Sequence, residues 1–249
     1  MADATDAIAA EIAPTGVLRA GINTGNILLV TGRDEAGDPA GVAPDLAREI
    51  ARRLALPLRF APFARPADLA DAATDGVWDI GLIGAEPARA RKIAFSAAYA
   101  EIEACYLVPA GSPLQAVADV DRPGVRIAVA AGSAYDLWLE RNLKHAALVR
   151  SKSTAEAQAV FAAQGLEVLA ALREGLQASL DRLKGARILP GRFMAVQQAV
   201  GTQMEKPAAA AFLASFVEEA KASGLIARLI DRHGMTGRLT VAPPVAQEA

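Results

Sequence analysis

Short apolar strands alternate with helical stretches in two separate runs, near 16–100 and near 125–190. Alternation of this kind predicts mainly parallel sheets flanked by helices, an α/β fold. Two runs predict two lobes. Extended segments at 101–110 and 191–200 stand between and after the runs, so the chain is expected to cross between lobes twice, in a two-strand hinge. The expected division is an N-terminal extension over 1–14, a discontinuous first lobe over 15–105 and 196–240, a second lobe over 106–195, and a tail over 241–249.

Local patterns fill in this frame. GVLRAGI (Gly16–Ile22) reads as the first strand, and Asn23–Asn26 as a polar turn directly after it. Ile27–Thr31 reads as a further extended piece, and Gly32–Gly41 as a hairpin-like loop. Pro44 is predicted to open a helix, a position where a missing N–H costs nothing. Asp79–Ile83 reads as a strand, Gly84–Arg91 as a short helical segment and Glu101–Pro109 as a long strand. Val125–Ala130 is a strand, followed by a helix over Ser133–Leu143.

Composition narrows the function. The chain has 249 residues, 53% of them hydrophobic, and a formal net charge of -2. No apolar run reaches bilayer length, and no basic block marks a nucleic-acid partner. Cys105 is the single cysteine, so no internal disulfide forms. It makes no metal-ligand spacing with His145 and His233, and nothing pairs a nucleophile with a base. No catalytic residue, metal or cofactor is therefore expected. Met1–Pro14 carries Asp3, Asp6 and Glu11, without the basic start and apolar stretch of a secretory signal. Localisation stays open between periplasm and cytoplasm.

In open α/β sheets, ligands bind beyond the carboxyl ends of strands. Three polar segments hold such positions: Asn23–Asn26, Gly84–Arg89 and Gly132-Ser133-Ala134. The first two belong to the expected first lobe and the third to the second, so an interlobe cleft would collect all three. Arg89 offers a permanently charged fork suited to a carboxylate. Gly132-Ser133-Ala134 opens a helix, whose first N–H groups suit an anion. The same residues have plainer readings. Arg89 stands beside Arg91 and Lys92, as on a solvated helix face, Ser133 with Asp136 resembles a capping box, and asparagine-rich loops are mostly turns.

Five segments, in order, resemble the amino-acid-type (family three) solute-binding proteins of ABC transporters, which have the type II periplasmic-binding fold. They are GVLRAGI, GVAPDLAREIARRL (Gly41–Leu54), WDIGLIG (Trp78–Gly84), EPARARKIAFSAAY (Glu86–Tyr99) and RPGVRIAVAAGSAYDLWL (Arg122–Leu139). The fourth looks like that family's threonine-x-glutamate-arginine and phenylalanine-serine-x-proline-tyrosine signature. The resemblance implies that Arg89, six residues before Phe95, binds the ligand carboxylate. It places Gly84 where a serine often touches the same group, so only the backbone serves here. Ser133 and Ala134 fall on the second lobe's carboxylate-holding segment, and Asn23–Asn26 on a loop that often supplies an aromatic ring.

One departure bears on the ligand. The family usually places an amine-binding aspartate after the strand here written Gly165–Leu172, where this chain has Leu172 and Arg173. A cation there favours a carboxylic acid, or an acid with a differently placed nitrogen, over an ordinary α-amino acid, with Glu86, Asn26 or Gln198 supplying the remaining polar contacts. The resemblance thus implies a monomeric binding protein that closes over a small anionic or zwitterionic ligand and serves an ABC permease. Two alternatives share the fold. One is a cytoplasmic sensor module. The other is a cyclohexadienyl-dehydratase-like enzyme with Glu86 or Glu167 as its acid.

Overall fold

The computed structural model describes residues 2–245, with side chains from Thr5 onward. The end of the expected tail, 246–249, lies outside the described residues. The chain divides into two compact units, Met1–Glu101 with Gln197–Ala249, and Ile102–Val196. The first change of unit falls at 101–102, where the sequence suggested 105–106.

The first unit begins with helix α1 (Ala2–Ile12), strand β1 (Leu18–Asn23), and a small antiparallel hairpin of β2 (Gly32–Arg33) and β3 (Pro39–Ala40). Helix α2 (Val42–Arg53), strand β4 (Leu58–Phe63), helix α3 (Pro66–Asp71) and strand β5 (Ile80–Gly84) follow. β1 lies between β4 and β5, parallel to both. β5 is buried along its whole length, which is why it reads as an unbroken apolar run rather than an alternation. Helix α2 starts at Val42, two residues before the predicted Pro44. Gly41 permits that start. Its φ is 143°, and a Cβ there would come within 2.3 Å of the Leu29 carbonyl oxygen.

Two readings of this region are corrected. Ile27–Thr31 is a turn, not an extended piece: the Asn26 carbonyl accepts from the N–H groups of Leu29 at 3.1 Å and Val30 at 2.9 Å. The strand predicted over Glu101–Pro109 starts earlier than expected, at Ile93, as β6 (Ile93–Val108).

In the second unit, β6 pairs antiparallel with β9 (Val168–Leu172), which lies parallel to β7 (Arg126–Ala130). β7 is in turn parallel to β8 (Ala147–Ser151). Helices α4 (Ala134–Asn142), α5 (Thr154–Ala163) and α6 (Arg173–Leu180) connect them. Leu107, Ala128, Phe161, Leu169 and Leu176 share one core cluster. β10 (Arg187–Ile188) pairs with β6, and β11 (Met194–Gln203) leads back into the first unit. There β11 runs antiparallel to β5, with Gln198 opposite Gly84. Helices α7 (Pro207–Ala222) and α8 (Leu225–Arg232) and strand β12 (Thr240–Val241) close the chain. The acidic N-terminal helix has a structural use, because the Glu11 carboxylate accepts from the Ala209 N–H at 3.0 Å in the first turn of α7.

Each unit fastens a pair of neighbouring parallel strands in the same way, β1 to β5 in the first and β7 to β9 in the second. In the first, Asp79 is fully buried and accepts from the Arg19 backbone N–H at 2.8 Å, Arg19 Nε at 3.0 Å and Arg19 Nη2 at 2.7 Å. In the second, Glu167 accepts from the Arg126 backbone N–H at 2.8 Å, Arg126 Nε at 3.0 Å and Arg126 Nη2 at 2.9 Å. The acid stands just before β5 in one case and just before β9 in the other. Removing one partner of a buried pair strands the other charge. Asp79→Ala is therefore expected to lower unfolding free energy by about 3 kcal/mol, read as a shifted urea midpoint at unchanged slope. Glu167 is partly exposed, so Glu167→Ala should shift the midpoint less.

Candidate functional site

β1 and β5 are parallel neighbours, so the segments that follow them leave the sheet at the same end. The loop after β1 is built by its own polar groups. Asn23 Oδ1 accepts from the Gly25 N–H at 3.2 Å, and Asn26 Oδ1 accepts from the Leu28 N–H at 3.2 Å. A Cβ on Gly25 would come within 2.4 Å of the Ala64 carbonyl oxygen. Both asparagines thus shape the loop, and their side-chain oxygens are engaged in doing so.

After β5 the chain turns back on itself. The Glu86 carbonyl accepts from the Arg89 and Ala90 N–H groups, each at 2.9 Å, and a single 3-10 turn over Arg89–Arg91 replaces the predicted longer helical segment. That turn carries Arg89 inward, leaving it only 6% exposed, whereas its neighbours Arg91 and Lys92 face solvent. The plain reading of a solvated arginine does not describe this side chain. Its Nη1 donates to the Gly84 carbonyl at 2.7 Å. Burial pulls the guanidinium pKa down to about 10, against the opposing influence of Glu86 and Asp71. Arg89 stays charged at neutral pH, in a place where charge is poorly solvated. Glu86 is itself buried, 5% exposed.

Gln198 joins this group through the sheet. Its Cα pairs with that of Gly84, whose carbonyl holds Arg89. The residue is 4% exposed. The first unit therefore brings Gly84, Glu86, Arg89 and Gln198 together, with Asn23 and Asn26 on the neighbouring loop.

The second unit holds Ser133, Ala134 and Arg173. β7 and β9 are parallel neighbours, so α4 and α6 start from the same end of the sheet. Ser133 caps α4: its hydroxyl donates to the Ala130 carbonyl at 2.8 Å and accepts from the Asp136 N–H at 3.1 Å. The Gly132 N–H donates to the Asp136 carboxylate at 2.9 Å. Asp136, 3% exposed, is also held by Arg150 Nε at 2.8 Å. An acid of this chain thus occupies part of the helix start that the sequence assigned to an outside anion. Ala134, the first residue of α4, keeps an N–H beyond the reach of any intrahelical carbonyl.

Arg173 begins α6 and bonds to Glu103 at 2.5 Å and to the Gly191 carbonyl at 2.9 Å. Its charge is matched within its own unit. Cys105 lies close by, buried, with burial pushing its thiol up to about 11. That suits a structural thiol rather than a nucleophile. Glu167 is held below the usual carboxylate range by its hydrogen bond to Arg126, which makes it a poor proton donor. Among the described residues, no group of three His, Cys, Asp or Glu side chains is placed to hold a metal ion.

The family model of the bacterial extracellular solute-binding proteins, family 3, matches residues 18–236. The chain belongs to this family. No curated protein matches it by sequence. Among solved structures, the solute receptor for L-cysteine of Neisseria gonorrhoeae is similar, with 17% identity over 94% of this chain and 99% of that one and a TM-score of 0.75. A histidine kinase sensor domain with similarity to periplasmic binding proteins is 18% identical over 91% of this chain and 97% of that one, with a TM-score of 0.71. An ancestral amino acid-binding protein, a precursor of cyclohexadienyl dehydratase, is 19% identical over 89% of this chain and 96% of that one, with a TM-score of 0.70. At these identities the likeness concerns the fold, which is that of the type II periplasmic-binding proteins.

Within this family 3 chain, sequence reasoning offered Ser133 with Asp136 as a capping box, which the structure shows, but did not single out Glu103 as the partner of Arg173. The first had a signal in the Ser133-x-x-Asp136 spacing. The second had none, because β6 and β9 are joined only in the folded sheet. The capping geometry of Ser133 yields a direct expectation. Ser133→Ala should cost about 1 kcal/mol of stability, measured by urea denaturation of the solute-free protein.

Proposed function

We propose that this family 3 protein binds a small carboxylate-bearing solute through Arg89 and delivers it to an ABC permease, acting as a monomer without catalysis. The observation that carries this reading is the burial of Arg89. A guanidinium in a poorly solvated place gains most from a group that brings both negative charge and two acceptors. Its bond to the Gly84 carbonyl supports the reading, since it orients the fork. Gln198 adds a neutral amide beside the same carbonyl, able to donate to or accept from the solute. In the second unit, the Ala134 N–H at the start of α4 is a donor able to meet an anionic group.

The solute we favour is an organic acid rather than an ordinary α-amino acid. Arg173 replaces the aspartate that the family resemblance leads one to expect, and Gln198 supplies no charge to hold an ammonium.

Calorimetric titration of a panel of organic acids and proteinogenic amino acids tests both statements. Organic acids are expected to bind, and Arg89→Met is expected to weaken them at least thirtyfold, or about 2 kcal/mol, with unchanged circular dichroism. Undiminished binding by Arg89→Met would contradict the anchor. Binding of amino acids but not of organic acids would contradict the solute class.

A further inference from the structure

The chain leaves the first unit after Glu101 and returns to it at Gln197. These two residues are tied to each other, because Gln197 Nε2 donates to Glu101 Oε1 at 2.9 Å. The end of the chain comes to the same place. β12 pairs antiparallel with β6, with Val241 opposite Ala100 and Thr240 opposite Glu101, and the Ala242 N–H donates to the Tyr99 carbonyl at 3.2 Å. β9 pairs with β6 from Ala104 to Leu107. The tail strand therefore reaches the last residue of the first unit, and Ile102 and Glu103 separate its pairing from that of β9.

Pairing cannot extend past Ala242, because Pro243 and Pro244 have no N–H to give. The tail is instead fastened to α7, where Lys221 Nζ donates to the Pro243 carbonyl at 2.9 Å and pairs with Glu218 at 2.7 Å. Leu239 and Ala242 are buried at either end of the strand, whereas Thr240 is exposed. A strand of two residues adds little core of its own. It is held by few hydrogen bonds, so it can open without unfolding the unit on which it rests. We propose that β12 is a strap on the passage between the units. While paired, it and the Glu101–Gln197 bond stiffen β6 and β11 where the chain leaves and re-enters the first unit. Its release widens the range through which the second unit moves. This device is independent of the solute reading at Arg89.

Spin labels placed one in each unit test it, through Asp75→Cys and Lys144→Cys with Cys105→Ser. Both labelled positions are exposed. The width of their distance distribution in pulsed electron resonance reports the range of motion. Hydrogen exchange of the amides of 99–103 reports the strap itself. Two variants cut it: a chain ending at Leu239, and Ala242→Pro, which removes one donor and keeps the length. Each should speed exchange at 99–103 at least about fivefold and broaden the distance distribution, with exchange in β1 and β5 unchanged. Should the shortened chain fail to fold, Ala242→Pro carries the test alone. An unchanged distribution, whether or not local exchange quickens, overturns the strap and leaves β12 an edge strand with no hold on the passage. Exchange that quickens in β1 and β5 as well overturns it too, since β12 would then serve the stability of the whole unit.

Discussion

The pairing of Asp79 with Arg19 is the constraint from which the site in the first unit follows. Asp79 is fully buried and receives both a backbone and a bidentate side-chain contact from one residue. Such a geometry leaves β5 little freedom to slip against β1, and a slip of one residue would turn every side chain of the strand to its other face. β5 is only five residues long. Fixing its start therefore fixes its end, where the Gly84 carbonyl receives Arg89 and where Gln198 pairs across from β11. The second unit repeats the device with Glu167 and Arg126, so β7 and β9 present the starts of α4 and α6 with similar definition.

On the proposed reading, a cost in the folded protein at Arg89 becomes a capacity to bind. Burial disfavours its charge, and one carbonyl with nearby Glu86 and Asp71 offsets that only in part. A ligand that completes the compensation gains more than it would at an exposed arginine, where water already does so. The start of α4 differs. Asp136 and Ser133 already satisfy much of it, so it is not an open anion site.

Much of this was legible in the sequence, for identifiable reasons. The parallel strands announce themselves as apolar runs between helices, and the family resemblance around Phe95-Ser96 points to Arg89, which the fold buries. What was not legible depends on contacts between distant residues or on competition within a short stretch. Ile27–Thr31 has the composition of a strand, yet Asn26 directs its backbone into a turn and pushes Ile27 outward. Arg173 looked like a free cation because Glu103, seventy positions earlier, reaches it only through β-sheet pairing. Whether a helix start is open to an anion depends on one acidic side chain in its first turn, and sequence spacing alone reads that residue equally well as a cap.

The central claim is that Arg89 holds a carboxylate. The most direct measurement is mass spectrometry of the solute released from protein purified without denaturation, compared with the same preparation of Arg89→Met. A carboxylic acid recovered from the unaltered protein and lost in the variant is the predicted result. A solute lacking an acid group, or one retained equally by Arg89→Met, would contradict it.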